Sequence, residues 1–279
     1  MSASAALTLD VERLRRFAAA ITRDLGIMMP ETKLTMLQGR LQRRLNHLGL
    51  ASLEAYEHRL RDPAVGAAER VALVDLATTN KTDFFREPQH FAYLVEHALP
   101  SLTPVEPWVC RVWCAGCSSG EEAYTLAMVL DDYAQRHPGF GFELIATDIS
   151  TRVLKTAARA TYPVAAAAPI PPQLRSRYLR RGTGARAGLV RVVPEVRAKV
   201  RFGRLNFMAP RYALPGEFDV IFFRNVMIYF DRAVQAEVVA RQCSVLRPGG
   251  YLFVGHSETV SGLGLPLAFA ANSVMRRLP

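Results

Sequence analysis

Disulfide scaffolds are excluded for this chain. Its 279 residues hold four cysteines, Cys110, Cys114, Cys117 and Cys243, too few to staple a fold. A reducing compartment is the natural match, so a cytoplasmic location is expected. Cys114 and Cys117 form a Cys-x-x-Cys pair without a second pair nearby, so zinc is not expected there and no metal site is read from the sequence. No apolar run approaches the ~20 residues that a membrane-crossing helix requires. The opening MSASAALTLDVERLRRF lacks a basic start followed by a long apolar stretch, so no secretory signal is expected. Internal repeats are also missing.

Acidic residues are scarce in one region. Between Arg152 and Arg204 there are thirteen Lys or Arg and one acid, Glu195, which accounts for more than the whole net charge of +10. One such arginine is an ordinary solvated side chain; the block as a whole reads as a docking surface for an acidic partner. With half its residues hydrophobic, the chain can bury a large core.

The first eighty residues show helical spacing and no strand pattern. LDVERLRRFAAAITRDLGI starts at Asp10, a candidate cap, and stops at Gly26. The next helix carries Leu34, Leu37, Leu41, Leu45 and Leu48 as a core stripe. Its other side carries Lys33, Arg40 and Arg44, either a solvated face or a guide for an acidic substrate. SLEAYEHRLRD and AAERVALVDLATT read as two more helices.

The pattern changes near Pro107. WVCRVWCAG, FELIATD, FDVIFFRN and YLFVGH read as buried strands. EEAYTLAMVLDDYAQRH, ISTRVLKTAARATY and DRAVQAEVVARQCSVLRPGG read as helices, the last capped by Asp231 and stopped by Pro248-Gly249-Gly250. Alternating strands and helices predict a mostly parallel α/β sheet covered on both faces. YPVAAAAPIPP reads as a linker. The basic stretch after it, with LVRVV and KVRFG, reads as a short helix and antiparallel strands. The predicted organisation is a helical domain over 1–84 and a Rossmann-like domain over 85–279, with a small antiparallel β insert at about 165–200.

Ligands of such sheets bind beyond the carboxyl ends of the strands. The first end, WCAGCSSGEE, offers small residues and a helix N-terminus, but no Gly-Lys-Ser/Thr for a triphosphate. It carries instead Glu121 and Glu122, which suit a cationic ligand or merely complement the helix dipole. The second end holds Asp148, either an acid for ribose hydroxyls or a helix cap with Ser150. The third end is FFRNVMIYF, with Arg224, Asn225 and Tyr229. The Asp/Asn-Pro-Pro-aromatic run of DNA amino-group methylases is missing there. A nucleotide ligand with a cationic tail and no phosphate loop points to S-adenosylmethionine.

The runs TNKTDFFRE, GEEAY, TDIS, RGTGARAGLVRV, FFRNVMIYF and LRPGGYLFVGHSE, in that order, closely resemble the chemotaxis receptor methyltransferases of the CheR type. The resemblance spans nearly the whole chain and is weakest over the first seventy residues. It implies a class I S-adenosylmethionine-dependent methyltransferase fold. It also implies transfer of a methyl group to receptor glutamates, giving methyl esters and sensory adaptation. Asn80, Thr82, Arg86, Glu122, Asp148, Asn206, Phe207, Arg224 and Asn225 match the family's cofactor contacts. Arg86 and Tyr229 match residues that position the substrate. His256 is read as structural. The implied partners are receptor cytoplasmic domains, with their C-terminal tail at the β insert. Nucleic acid and membrane insertion are not expected, and a monomer is. Methylation of nucleic acid or a small molecule, and a non-catalytic binding module, are the rival readings.

Overall fold

The computed structural model describes residues 11–102 and 108–279, so the capping role predicted for Asp10 lies outside the described residues. The chain forms two compact units: residues up to Thr79 together with Tyr229–Asp231, and Asn80–Ile228 together with Arg232–Pro279.

The first unit contains four helices, α1 (Val11–Leu25), α2 (Glu31–Leu48), α3 (Leu53–Arg61) and α4 (Gly66–Ala77). Spacing of three and four residues puts Leu14, Phe17, Ala18, Ile21 and Leu25 of α1 on one buried face. Leu34, Leu37, Leu41 and Leu45 of α2 do the same, while Leu48 is only half-buried. Gly49, at φ 67°, ends α2 with its N–H on the Leu45 and Asn46 carbonyls. Ser52 caps α3 by accepting from the Ala55 N–H at 3.1 Å.

The basic side of α2 has internal partners. Arg44 forms a bidentate pair with Glu69 at 2.8 and 2.7 Å. Arg40 donates to the Leu76 and Thr78 carbonyls at 2.7 and 2.9 Å, closing the end of α4. Lys33 donates to the Met28 carbonyl and lies over the Tyr229 ring, 5.7 Å from its centre. These three side chains hold the helical unit together; a purely solvated basic face is not what they form. Glu69 is 3% exposed and also accepts from the Tyr56 hydroxyl at 2.8 Å, with Arg59 at 3.6 Å. Burial alone would raise its carboxyl, but Arg44 and Tyr56 outweigh burial and hold it below the ordinary value.

The second unit opens with a short helix α5 (Gln89–Tyr93), a π-helical turn (Leu94–Ala98) and α6 (Leu99–Ser101), none of which was expected from the sequence. Then follow β1 (Val109–Ala115), α7 (Glu121–Arg136), β2 (Gly141–Asp148) and α8 (Thr151–Arg159). After β3 (Thr161–Pro163) come α9 (Pro172–Tyr178), β4 (Leu179–Arg181), β5 (Leu189–Val192), α10 (Pro194–Arg197) and β6 (Val200–Arg204). The chain closes with β7 (Phe218–Phe223), α11 (Arg232–Val245), β8 (Leu246–Val254), β9 (Leu267–Ala271) and β10 (Val274–Arg277).

The main sheet has seven strands in the order β6-β2-β1-β7-β8-β10-β9. The five strands from β6 to β8 are mutually parallel, and β10 and β9 add antiparallel. All six residues of β7 are buried, as a strand covered on both faces requires. The strand order reverses between β1 and β7, which marks the crevice at their carboxyl ends.

Four sequence readings change here. KVRFG is not part of the insert: β6 pairs parallel with β2, from Leu144 against Val200 to Asp148 against Arg204. The small antiparallel sheet has the order β3-β5-β4, so it begins at Thr161 inside the supposed end of a helix. YPVAAAAPIPP is no bare linker, because Tyr162 is 2% exposed, hydrogen-bonds the Ser119 carbonyl and packs on Phe84. Pro248-Gly249-Gly250 lies within β8, and α11 stops three residues before Pro248, at Val245.

Candidate active site

The stretch from Asn80 to Glu87 carries no regular structure up to Asp83 and then turns tightly. Phe84 is 1% exposed and meets the Tyr162 ring edge-on at 5.0 Å, anchoring the segment to the small sheet. Phe85 packs on Phe91, and its N–H donates to the Thr125 hydroxyl at 3.2 Å. Phe85 and Glu87 sit at φ 52° and 54°, a left-handed conformation that bulky residues adopt only when packing enforces it. Ser118 at φ 49° and Asn225 at φ 57° share that conformation in the neighbouring strand-end loops. Among the described residues, four of the six non-glycine residues with positive φ thus lie in this segment and the loops beside it, the others being Ala160 and Ser273, and such clustering is the pattern of a functional site.

The loop after β1 needs its glycines. Gly116, at φ 86°, has no room for a side chain: an added Cβ would meet Val226 Cγ2 at 2.6 Å. Ser118 links two of the expected cofactor residues. Its N–H donates to Asp148 Oδ2 at 2.8 Å, and its hydroxyl donates to the Asn80 carbonyl at 3.0 Å. Asp148 Oδ1 accepts from the Ser150 N–H at 2.9 Å. Ser150 in turn caps α8, accepting from the Val153 N–H at 3.3 Å. The rival roles for this acid are therefore divided, with Ser150 as the cap and Asp148 at the loop. Asn80 keeps a buried side-chain oxygen, Oδ1, with no hydrogen-bond partner among the described residues. Such an atom is an acceptor awaiting a donor.

A second network centres on Arg224, whose side chain is fully enclosed. Its Nη1 lies 3.1 Å from Glu122 Oε2, and its Nη2 lies 3.0 Å from Glu87 Oε2. It also donates to the Arg86 carbonyl, and its guanidinium lies over Phe91 at 5.4 Å and Phe222 at 5.9 Å. Two carboxyl groups thus face one guanidinium. Burial raises the Glu122 carboxyl, with Arg224 opposing; burial also acts on Glu87, but there Arg224 and Asn225 win and the group falls below its ordinary value. Asn225 Nδ2 donates to Glu87 Oε1 at 3.3 Å.

Thr82 and Arg86 lie half-buried on the same segment. Asn206 opens a turn, its Oδ1 accepting from the Met208 N–H at 3.0 Å, and Phe207 is 8% exposed among Trp113, Tyr212 and Phe223. Tyr229 falls in the helical unit, where its carbonyl accepts from the Met28 N–H at 2.8 Å and its hydroxyl donates to the Thr79 carbonyl at 3.4 Å. Cys114 donates to Glu122 at 3.4 Å, and Cys117 is buried; burial raises both thiols well above their usual range.

Sequence reasoning passed over three groups. Glu87 joins Arg224, Asn225 and the His256 N–H. Glu258 is 8% exposed and accepts from the Gly255, Asn225 and Ile228 N–H groups at 2.6, 2.8 and 3.2 Å, tying the β7 and β8 ends together. His90 is 2% exposed, and burial followed by Arg224 pushes its imidazole down to about 4, so it is neutral at neutral pH. The Glu in RE and the Glu in HSE were visible as acids next to strand-end loops; nothing local shows what they bind.

Residues 80–273 match the family model described as CheR methyltransferase, SAM binding domain. The donor set suits such a ligand: an acid fixed by two backbone amides, an orphaned buried acceptor at Asn80, a side-chain-free loop at Gly116 and a trio with two carboxyl groups to one guanidinium for a cationic tail. The second unit is an S-adenosylmethionine-binding methyltransferase domain. Residues 12–78 match CheR methyltransferase, all-alpha domain. The chain is 40% identical over 257 residues to the chemotaxis protein methyltransferase of Salmonella typhimurium, covering 92% of this chain and 87% of that protein. It is 41% identical over 257 residues, with the same coverage, to the chemotaxis protein methyltransferase of Escherichia coli K12. To chemotaxis protein methyltransferase 2 of Pseudomonas aeruginosa it is 38% identical over 251 residues, 89% of this chain and 86% of that one. The chain belongs to the CheR family of chemotaxis protein methyltransferases. No helix of the described residues is long and apolar enough to cross a membrane.

Proposed function

We propose that the chain transfers a methyl group from S-adenosylmethionine to glutamate side chains of chemotaxis receptors, forming methyl esters. One observation carries the substrate class. Among the described residues, Arg86 has no carboxylate partner and donates only to the Lys81 carbonyl at 3.3 Å, whereas Arg224 beside it holds two acids. A half-buried guanidinium left over in an acid-rich site suits an acidic side chain of the substrate.

A glutamate side chain has a reference pKa of about 4.3, so it is ionised at neutral pH and needs no general base. S-adenosylmethionine, when bound, supplies an electrophilic methyl group. Asp148, Asn80, Thr82, Asn206, Phe207, Glu122 and Asn225 are the residues proposed to hold it. Arg224 is a positioning residue in this reading, since its enclosed side chain fixes Glu87 and Glu122. Arg86 orients the substrate carboxylate, loosely enough that the ground state is not favoured over the transition state. Tyr229 keeps its proposed part in positioning the substrate.

The receptor tail is proposed to dock on the small sheet. A groove of about 470 Å³ there is lined by Arg159, Arg180, Arg181, Arg186 and Arg191. β4 is an edge strand of that sheet, open to an added strand. The test is transfer of labelled methyl groups to receptor-bearing membranes, with and without the last receptor residues. Counts released as methanol by mild base are expected, and fewer from tail-less receptor. Base-stable counts, or counts in nucleic acid, would overturn the ester reading.

A further inference from the structure

We propose that Glu87, His90 and His256 bind one divalent transition-metal ion of the zinc type, and that filling this site slows methyl transfer by drawing Glu87 away from Arg224. The three residues converge from two places: a Glu-x-x-His spacing leading into α5, and the loop after β8. One ligand atom from each lies within 4.8 Å of the others. His90 Nδ1 stands 3.5 Å from Glu87 Oε2. Ligand atoms about 2.1 Å from a tetrahedral zinc are roughly 3.4 Å apart, so this pair is already spaced for a shared ion. The His90 and His256 rings meet edge-on, 4.8 Å between centres. His256 is exposed, so it is free to close the remaining gap and leaves an entry path and an open coordination position to solvent.

The buried imidazole supplies the independent sign. His90 is 2% exposed; the Asn272 backbone and Glu87 Oε2, the latter at 3.5 Å, lie by its ring, but neither nitrogen completes a well-formed hydrogen bond among the described residues. Buried polar atoms without well-formed partners are uncommon, and a bound ion is one of their ordinary explanations. The Phe253 ring, 5.8 Å away, walls the imidazole on an apolar side. Two neutral imidazoles and a carboxylate are donors for zinc, cobalt, nickel or copper; magnesium and calcium prefer an all-oxygen set.

The link to the active site is a shared atom. Glu87 Oε2 accepts from Arg224 Nε at 3.3 Å and Nη2 at 3.0 Å, and from the His256 N–H at 3.3 Å. An ion bound to that oxygen competes with the guanidinium and repels it. Glu122, on the other side of Arg224, keeps the arginine partnered. The inhibitory half of the proposal rests on the methyl-transfer reading above; the binding half does not.

The metal-stripped full chain is titrated with cobalt(II) and zinc(II), followed by visible absorption and calorimetry. One ion per chain is expected, with cobalt d–d bands and no thiolate charge-transfer band. His256→Gln, at an exposed position, should weaken binding by roughly a hundredfold or more. His97→Gln, an exposed histidine outside the cluster, should leave it unchanged. Zinc should slow transfer by the wild-type chain and not by the His256→Gln chain. No binding, a thiolate band, or equal affinity in His256→Gln would overturn the site. Binding that leaves the transfer rate unchanged would overturn the coupling. If the chain methylates no receptor at all, the titration still decides whether the ion binds.

Discussion

Glu69 in the helical unit and Arg224 in the sheet unit are both buried charges that gather partners from distant parts of the chain. Glu69 is surrounded by donors: two from Arg44, one from Tyr56, with Arg59 behind. No residue of its helices has a left-handed backbone apart from glycine. Arg224 also has its partners, but the groups around it are uneasy. Phe85, Glu87 and Asn225 hold strained backbone, and neither His90 nitrogen completes a well-formed hydrogen bond among the described residues. A closed network of this kind fixes helices; an incomplete and strained one leaves interactions to be made by something that binds.

Breaking the closed hub should have the largest effect on stability. Glu69→Ala leaves Arg44 and the Tyr56 hydroxyl without their acid, and about 3–5 kcal/mol of unfolding free energy should disappear in a denaturant titration. Arg86→Ala should act on the other side of the comparison. Methyl transfer should fall about a hundredfold while S-adenosylhomocysteine affinity by calorimetry changes only severalfold. An unchanged rate would remove the role given to Arg86.

Acid should expose the open hub next. His90 has an ordinary value of 6.5 and is held at about 4 in the fold, so between those pH values the unfolded chain takes a proton that the folded chain refuses. Stability conferred by the neutral ring is therefore complete above pH 6.5 and is lost as pH falls toward 4, by on the order of 1–3 kcal/mol. Denaturation at pH 7.5 and 5 measures it, and His90→Gln should flatten the difference. The smallest effect sharpens the contrast within the helical unit: Ser52→Ala removes the α3 cap and should lower stability by about 1 kcal/mol without touching transfer.

Much of the sheet was readable because buried parallel strands are short apolar runs with small or polar residues at their ends. Asp148 and Arg224 stood out for that reason, whereas Asn80 was reached only through the family resemblance of TNKTDFFRE. KVRFG was misplaced because alternation looks the same in an antiparallel insert and on the edge of a parallel sheet; only pairing with β2 separates them. Lys33, Arg40 and Arg44 looked like a surface because their partners, three of them backbone carbonyls, leave no mark in the sequence. Glu258 escaped for the same reason, since it is held by three backbone amides. The hairpin of β9 and β10 went unread, with Phe269 on it 75% exposed and no apolar alternation to mark a core face.

All four thiols are buried and unbridged, and burial lifts each of them above its usual range. Thiolate, the form that reacts with maleimides, is therefore scarce and shielded on the native chain. A single cysteine placed at exposed Ala187, beside the arginine groove, would carry a fluorophore almost alone. The molecule comes ready for site-specific labelling, and the proposed docking of a receptor tail can be tested by the colour of one dye without stripping native cysteines.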